Sequence, residues 1–320
     1  MGFSRRSSRR EDLGKTRGRA CRPPGIWIME IQFIGAQLFN GLMLGSFYVL
    51  LSLGLSIIFG MLGVVNFAHG ALYMLGAYAA YSVCTLCSLN FWLALIIAPL
   101  VVGIIGMITE STLIKRLYPF PHFFNLLLTF GLMLFIEEGI RVLFSPIGKP
   151  FNTPVALVGS TDLGFMLFPK YRIFIILVTA FCAVGIWLFL TKTKLGSIIR
   201  AGTDDSEMVS ALGINISKTF TLVFGIGAAL AGLAGVLAAP VQNVTPEMGN
   251  AILTETFVVV IIGGMGSILG SILGGLIIGE LVTLGVVFWP PVANTLIYVF
   301  MAIILLVRPR GFFGRAKFFE

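Results

Sequence analysis

The chain has 320 residues, of which 57% are hydrophobic and 11% are charged, and its formal net charge is +8 at pH 7. Soluble globular domains carry about 25% charged residues, so this composition excludes an ordinary water-soluble enzyme or binding domain. It is typical of an all-α integral membrane protein, because each membrane-spanning helix needs about 20 mostly apolar residues. Much of the positive charge lies in one terminal segment, so it does not indicate a nucleic-acid-binding surface.

The first 28 residues form a polar, Arg-rich segment in which eight basic residues are opposed only by Glu11 and Asp12. The segment has no apolar periodicity, and chains of this composition do not bury enough apolar surface to fold. We therefore predict a disordered basic tail over residues 1–28 and a transmembrane domain over residues 29–320. Met29 is an alternative start, which would make the tail an upstream artefact.

Long apolar runs occupy most of the remaining chain, as expected for membrane-spanning helices. Eight such runs lie at about residues 33–60, 65–88, 91–112, 122–144, 172–191, 217–240, 255–288 and 291–307. Basic residues cluster between or after them, at Lys115-Arg116, across the loop 192–218 and from Arg308 onward. The positive-inside rule places these clusters and the basic tail in the cytoplasm.

The number of apolar runs does not fit this topology, and two Gly-rich segments can explain the difference. A chain that starts and ends in the cytoplasm must cross the membrane an even number of times on each side of the cytoplasmic loop 192–218, yet we count five and three runs. We expect one run in each half to be split or re-entrant, at residues 54–76 and 263–279, which gives eight to ten transmembrane helices. An external N-terminus is the alternative. Paired Gly-interrupted segments are typical of transporters whose broken helices lie beside the translocation path.

Glycine spacing in the second segment predicts close helix packing. Gly266, Gly270 and Gly274 recur at every fourth residue, and Gly275 and Gly279 repeat this interval. Small residues at such a spacing let the backbone of another helix approach closely. We expect Gly270 to tolerate Ala but not Leu.

The sequence contains no catalytic constellation. His69 and His122 are far apart and lack metal-ligand spacing, and the nearest P-loop fragment, Gly14-Lys15-Thr16, has Arg9 where the first glycine is required. We predict that the chain is not an enzyme, holds no cofactor or metal ion and does not hydrolyse ATP. Glu280 is isolated inside an apolar run, but no dense relay of acidic residues and histidines indicates a proton pump.

The loop 192–218 contains signals for one short capped helix. Thr203, Asp204 or Asp205 can cap it, its body spans residues 206–212, and Gly213 can end it. A short helix on the inner face of a membrane protein is a plausible docking element, and it is equally compatible with an ordinary loop helix.

The run Gly63-Val64-Val65-Asn66-Phe67-Ala68-His69-Gly70, followed by Tyr73-Met74-Leu75-Gly76-Ala77-Tyr78, resembles the hallmark of bacterial branched-chain amino acid ABC permeases of the LivH/LivM type. Four further stretches agree with that family, at residues 195–214, 225–239, 263–275 and 308–314. The resemblance covers about residues 29–315, and the Arg-rich tail departs from it.

The resemblance implies a membrane-spanning permease subunit of an importer for branched-chain amino acids, located in the bacterial inner membrane and working by alternating access. It also implies three kinds of partner: a second permease subunit, two cytoplasmic ATP-binding subunits and a periplasmic or surface substrate-binding protein. Three alternatives remain open. The first is a related permease for urea or short amides, the second is an ion-coupled secondary transporter, and the third is a passive channel or a structural membrane subunit.

Two sets of candidate site residues follow. The docking signature of such importers, E-A-A-x-x-x-G, is partly met, since Glu207 and Gly213 fit and Met208 and Val209 replace the alanines. Candidate ATPase-coupling residues are Arg200, Asp205, Glu207, Met208, Val209, Leu212 and Gly213, with the charges at the rim and Met208, Val209 and Leu212 as an apolar anchor. Candidate residues of the translocation path or its gate are Asn66, His69, Gly70, Gly264, Gly266 and Gly270.

Overall fold

Residues 25–63, 65–162 and 167–314 are described by the computed structural model of the protein. Helix α1 begins at Gly25, a few residues before the predicted end of the basic tail. Residues 1–24 of that tail lie outside the described residues, as do Val64, Arg315 and Lys317.

The described residues are mostly helical, as the long apolar runs predict. Their α-helices are α1 (Gly25–Leu62), α2 (Ala68–Thr85), α3 (Phe91–Thr112), α4 (His122–Phe144), α5 (Lys170–Lys192), α6 (Lys194–Asp204), α7 (Ser206–Ala211), α8 (Ile216–Gln242), α9 (Met248–Gly263), α10 (Ile268–Phe288) and α11 (Ala293–Val307). Between α4 and α5, strands β1 (Ser160–Asp162) and β2 (Leu167–Pro169) pair antiparallel, with Ser160 opposite Pro169.

Among the described residues, nine helices have 15 residues or more, which agrees with the predicted eight to ten crossings. Six helical segments are long and apolar enough to cross a membrane by length and composition, and α9 is a shorter apolar helix. Large apolar side chains such as Trp92, Leu100 and Phe181 are exposed on the outside of the bundle. Lipid solvates such a surface and water does not, so the predicted all-α integral membrane fold is confirmed.

Helix α1 lies at the centre of the bundle, where α5, α8, α9 and α10 pack against it. Of its most apolar window, 89% is buried inside the chain, and Phe47 and Leu50 have no solvent exposure. A helix that is apolar on all sides is a buried helix. Helix α1 therefore connects the helices of the first half of the chain to those of the second half.

The glycines of α10 form two faces against two different helices. Gly270 lies against Gly263 of α9, whereas Gly275 and Gly279 lie against α1, with Gly279 next to Gly45. The close approach that the glycine spacing predicts is therefore present. The expectation that Gly270 tolerates Ala is wrong, because a Cβ atom there would overlap backbone atoms of Gly263, which cannot rotate away as a side chain can.

The direction of α1 differs from the expected topology. In its first half, Asn40 accepts a hydrogen bond from Arg172 at the beginning of α5. At its end, Met61 lies against Gly202 of α6. Helix α1 therefore runs from the face where α5 begins to the face that carries the loop 192–218. With the loop 192–218 on the cytoplasmic side, as its charge predicts, the chain enters α1 at the external face, which is the alternative that the sequence left open; the first helix does not always set orientation by its flanking charges.

Each of the two Gly-rich segments contains a short break between helices, at residues 63 and 65–67 in the first and at residues 264–267 in the second. Gly63, Gly264 and Gly266 have positive φ angles of 64°, 96° and 78°, a conformation that favours glycine. The second break splits the seventh apolar run, as expected. The first break separates two runs that are already counted, so it adds no crossing. With an external start, five helices precede the loop 192–218 and four follow it, which satisfies the parity requirement.

Candidate functional site

The first break brings polar side chains into the middle of the bundle. Asn66 and His69 are fully buried. The Asn66 Oδ1 accepts a hydrogen bond from the Ala68 amide at 3.1 Å, which supports the first turn of α2. The His69 Nε2 lies 3.1 Å from the Leu51 carbonyl oxygen of α1, so a proton on Nε2 completes this bond. His69 thus ties the start of α2 to the central helix.

The first turn of α2 also crosses α9 at very close range. Gly70 lies against Gly249 with so little space that a Cβ atom on either residue would overlap the other's carbonyl oxygen. Next to this crossing, the ring of Phe67 packs edge-on against Phe257 of α9 and Phe130 of α4, with centroids 5.1 and 6.1 Å away. The first break therefore holds α2, α4 and α9 together at one crossing point.

The second break lies at the end of the bundle that carries the loop 192–218. Gly264 lies against Gly314 near the C-terminus, and Gly266 lies beside Gly60 at the end of α1. The Ser267 Oγ accepts the Gly270 amide at 3.1 Å and so caps α10. The backbone amides of Phe312 and Phe313 donate hydrogen bonds to the carbonyl oxygens of residues 262 and 263. These bonds hold the end of α9 in place.

The two predicted groups of path residues do not form one cluster. His69 contacts α1 at Leu51, and Gly266 contacts it more than two turns later at Gly60. Between these points the hydroxyl oxygens of Ser56 and Ser271 lie 2.5 Å apart and join α1 to α10. The part of α1 from Leu51 to Gly60 therefore contacts both breaks.

The loop 192–218 contains the predicted short helix, α7, and a second helix, α6, that was not predicted and that includes the cap candidates Thr203 and Asp204. Asp205 is the N-cap of α7, and its Oδ1 accepts the Met208 amide at 2.9 Å. Gly213, with a φ angle of 83°, follows the helix and ends it. Thr193 caps the preceding helix α6 in the same way, through the Gly196 amide at 3.0 Å. Helices α6 and α7 together form a compact unit between α5 and α8.

The predicted coupling residues divide by exposure. Met208 and Leu212 are 60% and 74% exposed, four residues apart on one face of α7, and Glu207 is exposed beside them. Val209 is only 4% exposed, so it does not belong to the predicted apolar anchor but holds α7 on the chain. Arg200 also departs from its predicted place at the rim of the coupling contact. Its Nη1 is buried without a hydrogen-bond partner, and its side chain lines a cavity of about 230 Å³ between α1, α5 and the second break.

A further polar site was missed from the sequence. At the end of the bundle opposite to the loop 192–218, a cavity of about 290 Å³ between α1, α8 and α9 ends at Glu255. The Tyr48 hydroxyl donates a hydrogen bond of 2.5 Å to the Glu255 Oε2. Glu255 is the first residue of the seventh apolar run, so it resembles a helix-end charge in the sequence. The only sequence signal for Glu255 was its position at the start of a long apolar run. Glu280, which lies inside the same run, was the more conspicuous carboxylate.

Comparisons with known proteins agree on one family. Residues 37–307 match the family model described as branched-chain amino acid transport system, permease component. The permease protein BraD of Pseudomonas aeruginosa is 32% identical, with 90% of this chain and 98% of the relative covered. The permease protein LivH of Escherichia coli is 30% identical over 88% of this chain and 96% of the relative. LivM of Escherichia coli is 26% identical over 72% of this chain and 59% of its own length. No solved structure shows significant similarity.

Proposed function

The chain belongs to the branched-chain amino acid transport permease family, and from this premise we propose that it forms the membrane path of an ATP-driven importer for these amino acids. It is a multi-pass protein of the inner membrane. The relatives BraD and LivH are named as high-affinity branched-chain amino acid permeases and share about a third of their residues with this chain over nearly their whole length. They are transport proteins, and we infer that this chain likewise moves its substrate without changing it chemically.

The chain functions together with other subunits, and we propose which ones. Because its sequence lacks a P-loop, hydrolysis of ATP has to occur on cytoplasmic ATP-binding subunits, two in number in importers of this kind. A second permease of the LivM type and an external substrate-binding protein complete the proposed complex. The similarity of the chain to both LivH and LivM supports a pair of related permeases.

The observation that carries the coupling proposal is the exposed apolar face of α7. Met208 and Leu212 project from a helix that is capped at one end by Asp205 and ended at the other by Gly213. Exposed apolar residues on a small, fixed helix at the cytoplasmic face are suited to the centre of a protein–protein contact. Movement of α6 and α7 reaches the bundle through Met61 of α1, which lies against α6.

Replacement of Leu212 by Asp tests this proposal. We expect Leu212→Asp to reduce co-purification of the ATP-binding subunit and to abolish uptake, because a charge would occupy the apolar contact. Ser210→Asp is the matched control. It introduces the same charge on the other side of α7, since residues two apart face away from each other, and it should retain most binding.

Asp204→Ala, which changes a charge outside the apolar face, should also have a small effect. Leu212→Asp and Ser210→Asp change no membrane helix, so both variants should still insert and pair with the second permease. Insertion and pairing are therefore measured together with co-purification. Parental co-purification and uptake by Leu212→Asp would exclude α7 from the coupling role.

A further inference from the structure

The cavity that ends at Glu255 lies open on the external half of the bundle. Its outer end is formed by Gln242, Thr245 and Glu247, where the chain passes from α8 to α9. The amide of Lys149 in the external loop donates to the Val244 carbonyl at 2.8 Å, which fixes this passage at the outer face. The cavity therefore leads from the external face toward the middle of the membrane.

The inner end of the cavity contains a carboxylate without a basic partner. Among the described residues, the ion pairs all involve Arg141, and none involves Glu255. The Tyr48 hydroxyl is its hydrogen-bond donor. An acidic side chain within a membrane helix is energetically costly, so such residues mark substrate or ion paths.

The remaining wall of the cavity is apolar. Leu44 of α1 and Met248, Ala251 and Ile252 of α9 line it between the polar outer end and Glu255. A ligand that fits has a cationic group for Glu255 and a short aliphatic body. The Gln242 amide and the Thr245 hydroxyl at the outer end are possible hydrogen-bond donors to a carboxylate.

We propose that this cavity is a binding station for the substrate on its way through the membrane, in which Glu255 receives the ammonium group of an aliphatic α-amino acid. The proposal rests on the proposed transport of amino acids by this chain. It adds the group that recognises them inside the membrane. Tyr48 positions the carboxylate, and the apolar wall accepts the branched side chain.

Protection of an engineered cysteine tests the site without uptake or ATP hydrolysis. In the assembled complex, Ala251→Cys places a thiol on the exposed cavity wall, where an impermeant thiol reagent added from outside can reach it. The labelling rate is measured by mass spectrometry on the peptide that contains residue 251. Leucine and 3-methylbutylamine, which keep the ammonium group, should slow labelling. 4-Methylpentanoate, which has the same side chain but no ammonium group, should not.

Glu255→Gln, added to the cysteine variant, should weaken protection by leucine on the order of ten- to hundredfold, the usual effect of losing a hydrogen bond to a charged group. The amide oxygen can still accept from Tyr48, so the packing of α1 on α9 is kept. Glu280→Gln is the matched control, since it makes the same change at another carboxylate in a membrane helix, on α10 and outside the lining of the cavity, and it should leave protection unchanged. Tyr48→Phe should keep the preference for ammonium compounds while weakening their binding.

Three results would overturn the proposal: no protection by leucine at any concentration, equal protection by 4-methylpentanoate, or protection that survives Glu255→Gln. These outcomes do not depend on α7. A complex that fails the Leu212→Asp test can still pass this one, and the reverse also holds.

Discussion

Gly270→Ala should destabilise the protein, although Ala normally favours a helix. The added Cβ atom would lie 2.6 Å from the Gly263 carbonyl carbon and 3.0 Å from its Cα atom, whereas ordinary contact begins at about 3.4 Å. The Gly263 carbonyl oxygen would be nearer still, so helices α9 and α10 would have to separate by more than about 1 Å at the second break. Overpacking costs about 1–3 kcal/mol, and we expect the upper part of that range because backbone atoms cannot rotate away. The gain in helix propensity is at most about 1 kcal/mol, which leaves a net loss of about 1–3 kcal/mol.

Gly185→Ala is the matched control for this substitution. Gly185 also lies in a membrane helix, but its Cβ position has no atom within 4 Å, so the variant should be neutral or slightly stabilising. Thermal unfolding of both variants in detergent at one scan rate measures the difference. We expect the apparent Tm of Gly270→Ala to fall by about 2–5 °C relative to the parent, since a shift of about 1.5 °C per kcal/mol is typical of a chain of this length. An apparent Tm equal to that of Gly185→Ala would refute the close approach of α9 and α10.

Two other substitutions test the central crossing and the topology. His69→Ala removes the link to Leu51 and should reduce transport without changing the order of preference among leucine, isoleucine and valine; a changed order would place His69 at the substrate. Phe33→Cys, at an exposed position near the start of α1, should react with an impermeant thiol reagent from the external side only. Reaction only from the cytoplasmic side would reverse the direction assigned to α1.

The features that were predicted correctly depend on short-range sequence signals. The cap at Asp205 and the stop at Gly213 depend on residues within one short helix, so the residues themselves indicate them. The second helix break was predictable because Gly264 and Gly266 lie together in a long apolar run, and only glycine readily adopts their positive φ angles.

The features that were missed depend on contacts between distant parts of the chain. Val209 and Arg200 are turned inward because α6 and α7 pack on the bundle, which their spacing does not reveal. Glu255 accepts its hydrogen bond from Tyr48, which lies 207 residues away in the sequence, so the residues around Glu255 do not reveal the pair. The direction of α1 is likewise fixed by its contacts with α5 and α6, and the flanking basic residues pointed to the opposite face.

Uptake by a reconstituted complex tests the central claim most directly. Proteoliposomes are prepared with this chain, a LivM-type permease and the ATP-binding subunits, and the binding protein and labelled leucine are added outside. We predict leucine uptake that requires internal ATP and all subunits, persists without an ion gradient and is not reduced by excess urea. Uptake that continues without the ATP-binding subunits and collapses with the ion gradient would contradict an ATP-driven importer and indicate a secondary transporter.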